Sequence, residues 1–128
     1  MRKLVQIRIA AILLWAHGLI EVLGAVMLLI LPPKLLAVTI PWAGEELAFM
    51  AMLSAISGGF RLFVGYGVWL IRKWGAVLGI ISSTVTMIAA PQIFPFGIMD
   101  TSFATVVLVL LVTAWFGKEN LVKLLRDG

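Results

Sequence analysis

Four long apolar segments, separated by short stretches that contain prolines and charged residues, dominate this 128-residue chain. They cover residues 9–31, 47–71, 74–91 and 101–116. The hydrocarbon core of a bilayer is about 30 Å thick, and roughly 20 apolar residues cross it as an α-helix. Backbone amides in lipid must find their hydrogen-bond partners within the protein, and a helix provides them. The sequence therefore predicts an all-α, four-helix transmembrane bundle with short interfacial loops, built as a single domain.

The composition excludes several classes of protein. Apolar residues make up 62% of the chain and charged residues only 12%, whereas the apolar share of soluble domains is roughly 45–50%. The net charge of +4 does not indicate a nucleic-acid partner, because the basic residues stand in short clusters at segment ends, where lipid headgroups attract them. The absence of cysteine excludes disulfides, thiolate catalysis and cysteine-ligated metals.

The distribution of basic residues predicts the orientation in the membrane, because cytoplasmic loops carry an excess of Lys and Arg. Eight such residues fall on one side of a four-span chain: Arg2, Lys3, Arg8, Arg72, Lys73, Lys118, Lys123 and Arg126. The opposite side has Lys34 with Glu45, Glu46 and Asp100, the last expected as the N-cap of the fourth helix. Both termini are therefore expected in the cytoplasm, with residues 118–126 as an amphipathic helix on the inner surface of the cell membrane.

Three ionisable residues lie inside the predicted spans, namely His17, Glu21 and Arg61. A charge at such depth costs roughly 2.5–3.5 kcal/mol on insertion scales and requires a partner. His17 and Glu21 are four residues apart and share one helix face. At 1.5 Å per residue, His17, Glu21 and Arg61 lie about 12, 18 and 15 Å from the cytoplasmic end. We expect a Glu21–Arg61 ion pair across the first helical hairpin, flanked by His17.

Small residues accompany these ionisable groups on the first three segments. Small side chains let helices approach closely in lipid, so the faces that carry them are expected to point into the bundle. The predicted helix-packing positions are Gly18, Gly24, Ser57, Gly58, Gly65, Gly75 and Gly79.

The ionisable residues have two interpretations. They form a structural ion pair that fixes helix register, or a functional site in which a carboxylate responds to protons or cations on a transport path. No metal is expected, because His17 and Glu21 supply two ligands where a zinc site takes at least three from the protein. No cofactor is expected either, since bis-histidine haem ligation would need a homodimer of this single-histidine chain.

A set of short motifs marks the first three helices: Arg8-Ile9, His17-Gly18-Leu19, Ser57-Gly58-Gly59, Gly65 and a basic turn. In these motifs the chain resembles the DoxX-like group of small four-helix membrane proteins. The resemblance implies a four-helix fold and an association with membrane redox partners. It transfers no catalytic residues, and Glu21 stands near where that group often has a lysine.

The segment Glu21-Val22-Leu23-Gly24 resembles the first helix of the small multidrug resistance exporters. In that family a membrane-embedded glutamate exchanges protons for cationic substrates, which implies Glu21 as a coupling carboxylate. Three features depart from the family: the strong charge bias, the long first loop, and Arg61, which would neutralise the carboxylate and repel cations.

The predicted function is non-enzymatic. We expect a small accessory or interaction subunit that packs against other membrane protein subunits of a larger assembly, or against copies of itself, within the lipid bilayer. Two alternatives stay open. One is a proton-coupled transporter with Glu21 as the coupling carboxylate and His17 as its proton partner. The other is an intramembrane enzyme in which His17 and Glu21 act as an acid–base pair on a lipid or isoprenoid.

Overall fold

The computed structural model describes residues 2–32, 34–35, 38, 47–90 and 97–116. Four α-helices account for most of these residues: α1 (Arg2–Ile30), α2 (Leu47–Trp69), α3 (Lys73–Ala89) and α4 (Gly97–Trp115). The predicted all-α, four-helix fold is confirmed in this part of the chain. The predicted tail helix 118–126 lies outside the described residues, as do Glu45 and Glu46.

Three of these four helices are long and apolar enough to cross a membrane, over Leu4–Ile30, Phe49–Trp69 and Gly97–Trp115. The remaining helix, α3, is apolar but has only 17 residues. At 1.5 Å per residue it extends about 25 Å. The prediction of a membrane protein is therefore supported by three helices, while α3 is shorter than the span expected at residues 74–91.

Two helices, α1 and α4, begin earlier in the chain than the sequence predicts. Helix α1 begins at Arg2 rather than at residue 9, and the buried Ile7 already packs into the core in this added stretch. Helix α4 begins at Gly97 rather than at residue 101. Asp100 therefore lies within the first turn of α4, and the prediction that it is the N-cap was wrong. Its carboxylate instead has a partner on α1, described below.

Neighbouring helices run antiparallel. The Trp15 indole N–H donates to the Leu62 carbonyl at 3.1 Å, and the Ser54 hydroxyl donates to the Glu21 carbonyl at 2.7 Å. Residue numbers rise along α1 as they fall along α2, so these helices form an antiparallel hairpin. The contact of Gln6 with Thr113 gives α1 and α4 the same relation.

The apolar core lies toward the end of the bundle marked by Arg8, Trp69, Arg72 and Lys73, which we call the basic end. All four helices contribute to this core: Ile7, Ala10, Ala11, Leu14, Val64, Val68, Ala76, Val107, Leu111 and Ala114 are all buried. The Arg8 guanidinium lies 4.4 Å from the centre of the Trp69 ring, a cation–π contact. The core therefore holds the four helices together at the basic end. It also fixes their register at the level of the polar residues described below.

The turn between α2 and α3 has the hydrogen bonds of a Schellman motif. The Arg72 N–H donates to the Gly67 carbonyl at 2.9 Å, and the Ile71 N–H donates to the Val68 carbonyl at 3.0 Å. Ile71 occupies the position that usually holds glycine and has a φ of 58°. The left-handed conformation costs an L-residue about 1–2 kcal/mol, and a β-branched residue there is an outlier. The side chain of Ile71 packs against the core, which offsets part of that cost.

Candidate functional site: a polar cluster shared by four helices

Five polar side chains, one or two from each helix, meet within the bundle. They are His17 and Glu21 of α1, Arg61 of α2, Thr86 of α3 and Asp100 of α4, and we call them the polar cluster. His17 and Arg61 are buried, with 2% and 7% of their surface exposed. Polar groups so placed must satisfy one another, because lipid offers no hydrogen bonds.

Glu21 and Arg61 form the ion pair that their depths predict. Arg61 Nη1 donates to Glu21 Oε2. Its Nη2 donates to the Thr86 hydroxyl oxygen, while that hydroxyl donates back along its own helix to the Ser82 carbonyl at 2.9 Å. The guanidinium thus links α1, α2 and α3, and it leaves Glu21 Oε1 available for another partner.

His17 joins the cluster to the last helix. Its Nε2 lies 2.8 Å from Asp100 Oδ1 and 3.5 Å from Glu21 Oε1. The ring stacks on Phe103, one turn further along α4, with 5.0 Å between the ring centres. One imidazole nitrogen therefore faces two carboxylates, one from its own helix and one from the neighbouring α4, and the aromatic contact orients the ring.

Asp100 is the charged cluster member that the sequence did not reveal, and Thr86 is the uncharged one. Counting charges by loop assigns it to the far surface, with Glu45 and Glu46. The signal that points to its true place is the apolar stretch Gly97-Ile98-Met99 before it, which continues the helix and draws Asp100 into the bundle. Its side chain remains 28% exposed, against 12% for Glu21, so the cluster is most open on the α4 side.

The net charge of the polar cluster depends on whether His17 carries a proton. With ionised Glu21 and Asp100 carboxylates and the Arg61 guanidinium, a neutral imidazole leaves one excess negative formal charge, whereas a protonated imidazole balances the cluster. An unbalanced charge in an apolar environment is costly, so the place between the two carboxylates favours a positive charge, either the proton on His17 or a bound cation.

Two glycines allow α1 and α2 to approach closely next to the ion pair. A Cβ atom on Gly18 would lie 2.7 Å from the Gly58 carbonyl oxygen, and one on Gly58 would lie 2.6 Å from the Gly18 carbonyl oxygen. Any larger residue would push the helices apart. The crossing therefore sets the short separation across which Arg61 reaches Glu21.

The other predicted packing positions have different surroundings. Gly65 lies under the Trp15 indole, Gly75 lies against the backbone of Gly67, and Gly79 contacts Leu111. Ser57 is half-buried. Gly24 differs, because no neighbouring group of the described residues lies within 4 Å of the place where its Cβ would stand. Among the described helices it is therefore not a packing contact, which corrects the expectation that its face points into the bundle.

No family model, curated protein or solved structure matches this chain. The likenesses to the DoxX-like group and to the small multidrug resistance exporters stay predictions from the motifs quoted above. Since a fold alone does not define a function, the arguments that follow use the geometry of the site and of the helix surfaces.

Proposed function

We propose that this chain is a small, non-enzymatic, multi-pass subunit of the cell membrane. It associates laterally, with a larger membrane assembly or with further copies of itself, and both of its termini face the cytoplasm. The orientation rests on the eight basic residues counted above and the positive-inside rule. Association with membrane redox partners, which the DoxX-like resemblance implies, is one form that such an assembly takes.

The observation that carries this proposal is the unequal extent of the helices beyond the polar cluster. Helix α3 ends three residues after Thr86, and α4 begins three residues before Asp100, so each extends only about 5 Å past the cluster. Helix α1 continues from Glu21 to Ile30, and α2 begins well before Arg61, so these extend about 14 and 21 Å. Beyond the cluster, the part of the chain that the structure describes consists mainly of the two-helix hairpin of α1 and α2.

This far half of the hairpin, residues 22–30 of α1 and 47–57 of α2, is apolar around much of its surface. Ala25 and Ala51 are buried there. Nine large apolar side chains are between 44% and 74% exposed: Leu23, Val26, Met27, Leu29, Ile30, Phe49, Met52, Leu53 and Ile56. Among the described residues, α3 and α4 do not extend far enough to cover them. A partner helix would complete the bundle at this level.

Small residues on the exposed side of the hairpin favour a protein partner over lipid alone. Ala55 and Gly59 are four residues apart on α2 and both exposed. No atom lies within 4 Å of a Cβ built on Gly59, nor of one on Gly24. Transmembrane helices associate through small residues at this spacing, because their backbones can approach closely.

The test is purification from native membranes in a gentle detergent, with mass spectrometry of the bound proteins and measurement of the mass of the complex. We expect reproducible recovery of larger membrane proteins, or a defined homo-oligomer. Gly59→Leu should reduce that recovery, because it fills the small-residue face without touching its own chain. Val109→Leu, on an exposed face of α4, is the matched control and should leave it unchanged. A stable lone monomer would contradict the proposal.

A second candidate is a proton- or cation-coupled transporter with Glu21 as the coupling carboxylate. The two carboxylates that face His17 within the bundle favour it. The apolar groove on α3 and α4, lined by Val77, Ile80, Ile81, Val112, Trp115 and Phe116, includes no member of the polar cluster. The test is uptake driven by a pH gradient into proteoliposomes: Glu21→Gln should abolish it while the protein remains folded, and an unaffected rate would contradict this function.

A further inference from the structure

Asp100 supplies the third metal ligand that the sequence lacked. His17 and Glu21 alone are too few for a zinc site, which takes at least three ligands from the protein. The structure brings one nitrogen and two carboxylate groups together from α1 and α4, and their ligand atoms all lie within 4.8 Å of one another. The shortage of ligands that argued against a metal, only two from His17 and Glu21, therefore no longer applies.

The separations of these atoms fit a small divalent ion. Zinc bonds to histidine nitrogen and carboxylate oxygen at about 2.0–2.2 Å, and in a tetrahedron this places neighbouring ligand atoms about 3.4 Å apart. His17 Nε2 lies 2.8 Å from Asp100 Oδ1 and 3.5 Å from Glu21 Oε1. The third separation, between the two carboxylate groups, is at most 4.8 Å, so side-chain rotation has to lengthen the first of these contacts and shorten the third to reach the tetrahedral spacing.

The residues around the ligands hold them in place. Arg61 binds Glu21 through Oε2 and leaves Oε1 directed at His17, while Phe103 stacks on the imidazole ring. Partners of this kind orient ligands and tune the metal in known sites. Asp100 is 28% exposed, and this opening on the α4 side provides the entry path that a metal site requires.

We propose that His17 Nε2, Glu21 Oε1 and the Asp100 carboxylate bind one divalent first-row transition ion. The two carboxylates offset the double charge of the ion, and Arg61 adds one positive charge, so the fourth ligand is anionic, such as hydroxide. The imidazole binds in its neutral form with its remaining proton on Nδ1, and no proton is retained on Nε2. Three protein ligands leave one coordination position for a ligand from outside the chain.

The experiment uses the full chain, purified in detergent and stripped with a chelator, and Zn²⁺ as the probe in isothermal titration calorimetry. We expect one ion bound per chain. His17→Gln and Asp100→Asn should each weaken binding at least about tenfold, the order seen when groups that organise a metal site are lost. Thr105→Val is the control, because its hydroxyl bonds only back to the Thr101 carbonyl on the same helix, and it should bind as the unchanged chain does.

A second measurement keeps the proposal testable if the variants do not fold. Co²⁺ added to the unchanged protein should give the visible absorption bands of a four-coordinate site, and Zn²⁺ should displace them. Absence of these bands, substoichiometric Zn²⁺ binding, or binding unaffected by Asp100→Asn would each overturn the proposal. In those cases the His17–Asp100 contact is a hydrogen bond alone. The lateral assembly proposed above is independent of this outcome.

Discussion

His17 on α1 and Asp100 on α4 lie 2.8 Å apart, nitrogen to oxygen, although 83 residues separate them along the chain. Their contact joins the first helix to the last and completes a network that reaches all four helices. Helix α1 is held to α2 through Glu21 and Arg61, and α2 is held to α3 through Arg61 and Thr86. The side chains that make the site are therefore also the ones that tie the bundle together.

Removing the Asp100 carboxylate should destabilise the bundle. Hydrogen bonds between transmembrane helices contribute about 0.6 kcal/mol on average and up to about 1.7, and charged groups lie at the upper end. We expect Asp100→Ala to lower the free energy of unfolding by about 1–2 kcal/mol, measured by denaturant titration in detergent micelles. Ser102→Ala is the control, since that hydroxyl bonds only to the Ile98 carbonyl on its own helix. Equal effects of the two changes would contradict the assigned role of Asp100.

The Glu21–Arg61 pair should be strongly coupled. Arg61→Leu alone leaves a carboxylate without its cation, and breaking a buried pair in this way costs about 3–5 kcal/mol. Changing both residues to leucine removes both charges, so we expect the double variant to recover most of the lost stability. A double-mutant cycle measures this coupling directly. If the effects of the two single changes simply add, the pair does not determine the stability of this hairpin.

Two adjacent glycines on α2 should respond in opposite directions to the same change. Gly58→Ala places a methyl group 2.6 Å from the Gly18 carbonyl oxygen and should cost about 1–3 kcal/mol, as overpacking does. Gly59→Ala meets no atom within 4 Å and should stabilise the helix by up to about 1 kcal/mol, because alanine is the better helix former. Thermal unfolding of both variants checks which of the two is the more stable. If Gly58→Ala is the more stable variant, α1 and α2 do not approach each other as closely as the contact of Gly18 with Gly58 indicates.

Ile71 offers a test of backbone strain at the turn between α2 and α3. Both Ile71→Ala and Ile71→Gly remove the side chain, but only glycine adopts a positive φ without steric cost. We expect the glycine variant to be the more stable by about 1 kcal/mol. At Ile81, an exposed position within α3, the order should reverse, because alanine exceeds glycine in helix propensity. Alanine being preferred at both positions would contradict the left-handed conformation of Ile71.

Much of the fold and three of the five cluster residues follow from the sequence. Apolar segment length predicts the helices, and counting residues from the segment ends places His17, Glu21 and Arg61 at similar depth. These two arguments depend only on helix rise and bilayer thickness. The expected third segment, residues 74–91, agrees with α3 (Lys73–Ala89) to within two residues at each end.

The remaining cluster members depend on tertiary contacts that local rules do not contain. Asp100 has the residue type and position of an N-cap, so capping preference and loop charge both point to the surface. The structure instead directs the Asp100 carboxylate at His17, because the buried imidazole on the neighbouring α1 offers it a partner inside the bundle. Thr86 was equally hidden, since its hydroxyl bonds to its own helix and also accepts from Arg61.

The positions of the cluster residues along the chain determine the order in which their contacts can form during synthesis. Chains emerge from the ribosome N-terminus first, so Arg61 can reach Glu21 as soon as the first two helices have been made. His17 must wait for α4, the last helix described, before Asp100 arrives. The second carboxylate thus joins only when α4 is inserted. Any ion that depends on both carboxylates can be bound only once α4 is in place.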